Sequence, residues 1–151
     1  MNAQSFRSTR PDQAALRRPP LLLSRGDHER LQSIAMGGLL KDPRLAGSLL
    51  EEIDRAEILA DDRPAADYVG LGSSVEFRDL ERPGTRKVRI VEKARADDDI
   101  ELSVLSPLGV ALIGLGVGAC IVASDRRGSE WVLRVVGVTA PRQARGRQGR
   151  M

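Results

Sequence analysis

The chain is poor in the residue types from which most catalytic and metal centres are built. It holds one cysteine, Cys120, and one histidine, His28, in 151 residues. A single thiol excludes an internal disulfide and a cysteine-built zinc site. A single imidazole leaves little material for a metal centre or a histidine-based triad. The aromatic residues are Phe6, Tyr68, Phe77 and Trp131, too few for a base-stacking platform or an aromatic ligand cage. No apolar run approaches the ~20 residues of a membrane span, and the opening MNAQSFRSTRPDQ lacks the apolar region of a signal peptide. These absences predict a cytoplasmic protein with no membrane association, no metal or other cofactor, and no small-molecule substrate.

What is present is enough to fold. The chain is 41% hydrophobic and 30% charged, which supports a real core. Its net charge of +3 is unevenly placed. Arg7, Arg10, Arg17, Arg18 and Arg25 crowd the first 25 residues against Asp12 alone, and Arg142, Arg145, Arg147 and Arg150 close the chain without an acid. The stretch between them is therefore acidic, a poor footprint for duplex DNA, which wants a basic face. The arginine tails read as solvated segments with, at most, weak and nonspecific attraction for nucleic acid.

The pattern along the chain is helical first and strand-like later. Ser24, with Asp27 three residues on, resembles a capping box, and Leu31, Ile34 and Ala35 follow at helical spacing. Gly37-Gly38 ends that helix. Asp42 caps a second, with Pro43 at its first position. This helix is expected over 43–60, with Leu45, Leu49, Ile53, Ala56 and Ala60 as its apolar stripe and Glu51, Glu52, Asp54 and Arg55 facing water. Two such helices on a short loop predict an antiparallel hairpin. From Tyr68 the period shortens to two. Strands are expected around Val75 and Phe77, over 86–91, 100–105, 119–124 and 131–139, with a turn at Arg82-Pro83-Gly84 and another at 125–128. Ser106 and Pro107 start a short helix through about Leu115. The whole predicts an α+β fold: a helical hairpin, then a mostly antiparallel sheet with one inserted helix.

Several tempting features carry bland readings. Cys120 sits in an alternating apolar strand and reads as a buried, inert thiol. His28, in a first helical turn beside Glu29, reads as solvated. Asp97-Asp98-Asp99 with Glu101 lacks the spacing of a cation loop and reads as an acidic turn. Gly114-Leu-Gly116-Val-Gly118 leads into a strand, so no helix N-terminus is offered to a phosphate.

Two runs carry a resemblance. The stretch V-G-L-G-S-S-V-E-F-R-D over 69–79, followed by L-S-V-L-S-P-L-G-V-A-L-I-G over 102–114 and V-G-A-C-I over 117–121, resembles the C-terminal domain of Gre-type transcription elongation factors, which has an FK506-binding-protein-like (FKBP-like) fold. The short hairpin narrows the likeness to the Rnk-type regulators of nucleoside diphosphate kinase, and it covers about 21–141. The chain departs from the family pattern at Ala119 and Cys120, where an acid usually follows V-G, and at Val138-Thr139-Ala140-Pro141, where the family has aromatic-Gln-Pro.

The resemblance implies a short coiled-coil hairpin over 21–64 and an FKBP-like domain over 65–141, while the residues outside it read from their composition as a flexible tail over 1–20 and a basic flexible tail over 142–151. It also implies a non-enzymatic regulator that docks on RNA polymerase at the rim of the secondary channel. Leu105, Ser106, Pro107 and Leu108 stand where the family places its polymerase contact, and Leu39, Leu40, Lys41 and Asp42 form the hairpin tip. Gre cleavage factors carry acidic residues at a long hairpin's tip that help hold a magnesium ion. Here only Asp42 is acidic, so no transcript cleavage is expected. Two other readings are kept for comparison: a nucleic-acid binder acting through its arginine tails, and a prolyl isomerase, which shares the fold but needs an aromatic-lined pocket.

Overall fold

The computed structural model describes residues 20–59, 68–95, 100–124 and 127–141. The arginine tails, the 61–64 helix stop and Asp97–Asp99 therefore lie outside the described residues. The elements in chain order are β1 (Leu22–Ser24), α1 (Arg25–Gly38), α2 (Pro43–Arg55), β2 (Glu57–Leu59), β3 (Ser74–Asp79), β4 (Arg86–Val91), β5 (Glu101–Ser103), α3 (Pro107–Leu112), β6 (Cys120–Ser124) and β7 (Glu130–Thr139).

Local chemistry sets the helix starts. Ser24 accepts the Asp27 N–H at 3.0 Å and caps α1. Asp42 Oδ1 accepts the Leu45 N–H at 3.2 Å and caps α2, with Pro43 in the first turn where no N–H is needed. The helices pack on each other across the 39–42 linker and bury Leu31, Ile34 and Ala35 from one and Ala46, Leu49 and Ile53 from the other.

The second helix is shorter than its stripe suggests. It stops at Arg55, Ala56 is already extended, and Glu57–Leu59 pairs parallel with Leu22–Ser24. The Glu57 N–H donates to the Leu21 carbonyl at 2.9 Å. Strand pairing with a segment more than thirty residues away outcompetes one further helical turn, and Ala56 packs at the core's edge from outside the helix.

The main sheet runs β5-β4-β3-β7-β6. All neighbours are antiparallel except β4 and β5, which are parallel. Between Glu76 and Phe77 the β3–β7 register shifts, so Val136 has no partner of its own and stands out as a bulge. The inward faces supply Val75, Phe77, Val88, Ile90, Ile121, Ala123, Leu133 and Val135 to one core, which continues without a break into Leu31, Leu49 and Ile53 of the helix pair. The chain is thus an α+β fold whose helices share the sheet's core. Two further expectations shift by a few residues: β5 covers 101–103 where the alternation predicts a strand over 100–105, and α3 ends at Leu112 before the expected Leu115.

Candidate functional site

The site is built around the segment that joins β5 to α3. The backbone leaves β5 at Ser103 and must turn sharply to start a helix four residues later. Ser106 makes the turn possible. Its hydroxyl accepts the Gly109 N–H at 3.0 Å, capping α3, and donates to the Ser103 carbonyl at 2.6 Å, which ties the cap to the strand end. The Leu105 N–H donates in turn to Ser103 Oγ at 3.1 Å. Gly109 is required by closeness: a Cβ there would run into the Ser103 carbonyl oxygen and lie 2.8 Å from Val104 Cα. Leu105, Ser106, Pro107 and Leu108 are all half-buried, so the four residues singled out from the sequence form one continuous, partly apolar surface strip.

The fold brings this strip to the helix tip. A Cβ on Gly38, the last residue of α1, would meet Leu105 Cδ1 at 2.8 Å, so Leu105 lies directly over the end of that helix. The glycine at the end of α1 therefore also makes room for Leu105. Asp42, Leu105 and Pro107 then line one cleft of about 740 Å³. Its α2 wall carries Arg44, Leu45, Ser48, Glu52 and Arg55, its floor Val110 and Ala111 of α3, and its far wall 121–124 of β6. Of the tip residues, Leu40 is 96% exposed, Lys41 and Asp42 are exposed, and Leu39 is half-buried. Asp42 is placed in the cleft lining, but its carboxylate serves the α2 cap.

A second joint between helix pair and sheet was not visible in the sequence. Asp27 reads as the back half of a capping box, yet its carboxylate turns away from Ser24, and Oδ2 accepts the Leu71 N–H at 3.2 Å. Burial pushes the Asp27 carboxyl up from its ordinary value, while the Leu71 bond pulls the other way. An exposed Arg30–Glu92 ion pair at 3.0 Å spans the same junction.

The remaining candidates fall away from the cleft. Cys120 is half-buried where a buried thiol was expected, because its strand lies at the sheet edge, and Arg134 Nε donates to its sulfur at 3.2 Å. His28 is half-buried on α1. Phe77 and Trp131 stack obliquely at 6.2 Å with Arg86 over the Phe77 ring, and none of the three lines the cleft. Among the described residues no three acidic, histidine or cysteine side chains group as metal ligands, and no helix is long and apolar enough to cross a membrane.

Comparison with known proteins agrees with this architecture. A family model described as "Transcription elongation factor, GreA/GreB, C-term" matches residues 64–140, and one described as "Rnk N-terminus" matches 19–59. The chain is similar to the "Regulator of nucleoside diphosphate kinase" of Escherichia coli K12 and to that of Shigella flexneri, at 34% identity over 110 residues in each case. Each alignment covers 69% of this chain and 77% of the relative. Among solved structures it is similar to the "Prokaryotic transcription elongation factor GreA/GreB from Nitrosomonas europaea", with a TM-score of 0.64 and 25% identity, covering 80% of this chain and 99% of the other.

Proposed function

The chain belongs to the GreA/GreB transcription elongation factor family, with an Rnk-type N-terminal part, and on that footing we propose that it is a transcription regulator that binds RNA polymerase at the rim of the secondary channel and does not stimulate transcript cleavage. The observation that carries the reading is the meeting of Leu105 with the end of α1 at Gly38. It puts the Leu105–Leu108 contact strip and the tip, Leu39 to Asp42, on one side of the molecule. In this reading the unit 21–64 carries the helical hairpin as α1 and α2, 65–141 is an FKBP-like domain that docks on the polymerase through Leu105, Ser106, Pro107 and Leu108, and the hairpin is directed into the channel.

The absence of cleavage follows from reach and charge. The α2 helix is 13 residues long, about 20 Å at 1.5 Å per residue. A second catalytic cation needs carboxylate oxygens at about 2.1 Å. The tip offers Asp42 alone, and its carboxylate caps α2. The mechanism is then steric: occupation of the channel entrance and competition with other factors that use it. A stable complex of this kind buries about 800 Å² on the regulator's side. A prolyl isomerase is disfavoured by the cleft's lining, which among the described residues holds no aromatic ring to take a proline out of water. A cytoplasmic location follows from a polymerase partner.

The test is retention of bacterial core RNA polymerase at moderate salt, joined to a cleavage assay on stalled complexes. Retention without cleavage, reversed by a cleavage factor, is expected. The double variant Ser106→Asp with Pro107→Ala keeps an acceptor for the Gly109 N–H but loses the donor to the Ser103 carbonyl, adds charge and removes the ring, and in the folded variant should weaken retention at least about tenfold, or 1.4 kcal/mol. A chain lacking 142–151 should bind polymerase as before; loss of binding on that deletion, with a steep salt dependence, would transfer the interaction to the tails. Failure to retain polymerase at all would refute the reading.

A further inference from the structure

The two edges of the main sheet are finished differently. At one edge β5 is three residues long and carries Glu101, which is ion-paired to Arg89. Shortness and charge are the usual devices by which proteins keep a sheet edge from pairing with another chain. At the other edge β6 is five residues long, Cys-Ile-Val-Ala-Ser, with no charge and no proline and a regular register against β7; a bulge lies just before it, where Gly118 and Ala119 both bond Val135. Its register shows which backbone groups are left over. The Val135 N–H donates to the Ala119 carbonyl, which makes that pair hydrogen-bonded. By the period-two alternation of an antiparallel ladder, Ile121 and Ala123 also bond β7, and the N–H and C=O groups of Cys120, Val122 and Ser124 point off the edge.

That edge opens into the cleft. Residues 121–124 form one wall, α2 stands opposite, and α3 packs against both and supplies the floor. The cleft therefore has a row of main-chain donors and acceptors on one side and an apolar base of Leu105, Pro107, Val110, Ala111 and Leu115. We propose that β6 and this cleft form a strand-addition site, which takes an extended segment of about five residues from a partner protein as a sixth strand of the sheet.

The surroundings state the segment's chemistry. Alternate side chains fall onto the apolar floor and are aliphatic. Those between them face outward and are polar. Arg44 on the α2 rim is exposed and has no ion pair among the described residues, so an acidic residue at that end of the segment is favoured. A second folded copy is a poorer occupant, because α2 faces β6 and leaves no room for a neighbouring sheet. The site shares Leu105 and Pro107 with the polymerase contact, yet it does not rest on that reading, and its test contains no polymerase.

A random dodecapeptide library displayed on phage is selected against the full chain, and the enriched peptides are synthesised. They are expected to show aliphatic residues at every second position and to move the backbone amide resonances of Cys120, Val122 and Ser124 in isotope-labelled protein. Val122→Pro removes an edge-facing donor without touching the β7 ladder, and should weaken binding at least about tenfold. Ala111→Trp fills the floor, leaves the edge intact and should do the same, which provides the test if the proline variant does not fold. An unenriched library, peptides that bind as helices, or equal binding by the folded variants would each overturn the proposal.

Discussion

α2 and α3 begin with the same two-residue formula, Asp42-Pro43 and Ser106-Pro107, and the two starts do unequal work. The Asp42 cap is exposed and makes one bond, to the Leu45 N–H within its own first turn. The Ser106 cap is half-buried and joins two backbone segments: its own helix through Gly109, whose Val110 and Ala111 form the cleft floor, and the end of β5 through the Ser103 carbonyl. A similar local signal thus ends as a simple helix start in one place and as the framework of a cleft in the other. On the proposed polymerase contact, stability and binding would be coupled at the second place, and a substitution that lowers affinity has to be shown to keep the cap.

The same mutation should have opposite signs in the two helices. Gly109→Ala drives a Cβ into the Ser103 carbonyl and towards Val104 Cα, and overpacking against backbone should cost about 3 kcal/mol. Gly47→Ala in α2 meets open space and replaces a helix-interior glycine, so it should stabilise by about 0.5–1 kcal/mol. Urea midpoints with unchanged m-values measure both; equal signs would dissolve the distinction. Removing each cap gives a smaller contrast. Ser106→Ala should cost about 2 kcal/mol and Asp42→Ala about 0.5–1 kcal/mol, and only the first should also reduce polymerase retention.

The smallest effect lies at the other joint. The folded-state pKa of Asp27 is raised above 3.8 by burial, so the folded chain holds that proton more readily than the unfolded one. The stabilising contribution of this group is full below the unfolded value and is lost as pH rises through the folded value. Asp27→Asn still accepts the Leu71 N–H and carries no buried charge. It should therefore be at least as stable as the parent at pH 7, with its advantage shrinking as pH falls towards 4. An advantage that grew on acidification would show that Leu71 outweighs burial. Asp27 and the Ser106 cap share no hydrogen-bond partner, and the two changes should be additive.

Much of the frame around the cleft is legible in the residues alone. Ser106-Pro107 announces a helix start, Gly37-Gly38 a helix end, and the alternation through Val75, Phe77, Leu133 and Val135 places the inward face of the sheet, because capping and period-two burial are properties of neighbouring residues. The Asp27–Leu71 bond joins residues 44 apart in the chain and carries no local mark, since a Ser-x-x-Asp start looks complete in itself. The free edge of β6 is equally hidden. An uncharged run such as CIVAS suits an interior strand as well as an edge, and only the strand order separates the two.

Neighbouring residues thus dictate where helices start and which strand faces are apolar. Closure of the chain settles where α2 stops, which strands lie at the edges, and that Leu105 meets Gly38 to join strip and tip. The division has one physical cause. Caps and alternation are settled by bonds and burial within a few residues, whereas strand pairing, edge exposure and the closeness of Gly38 and Gly109 to their neighbours depend on segments that meet only after the chain has closed on its core.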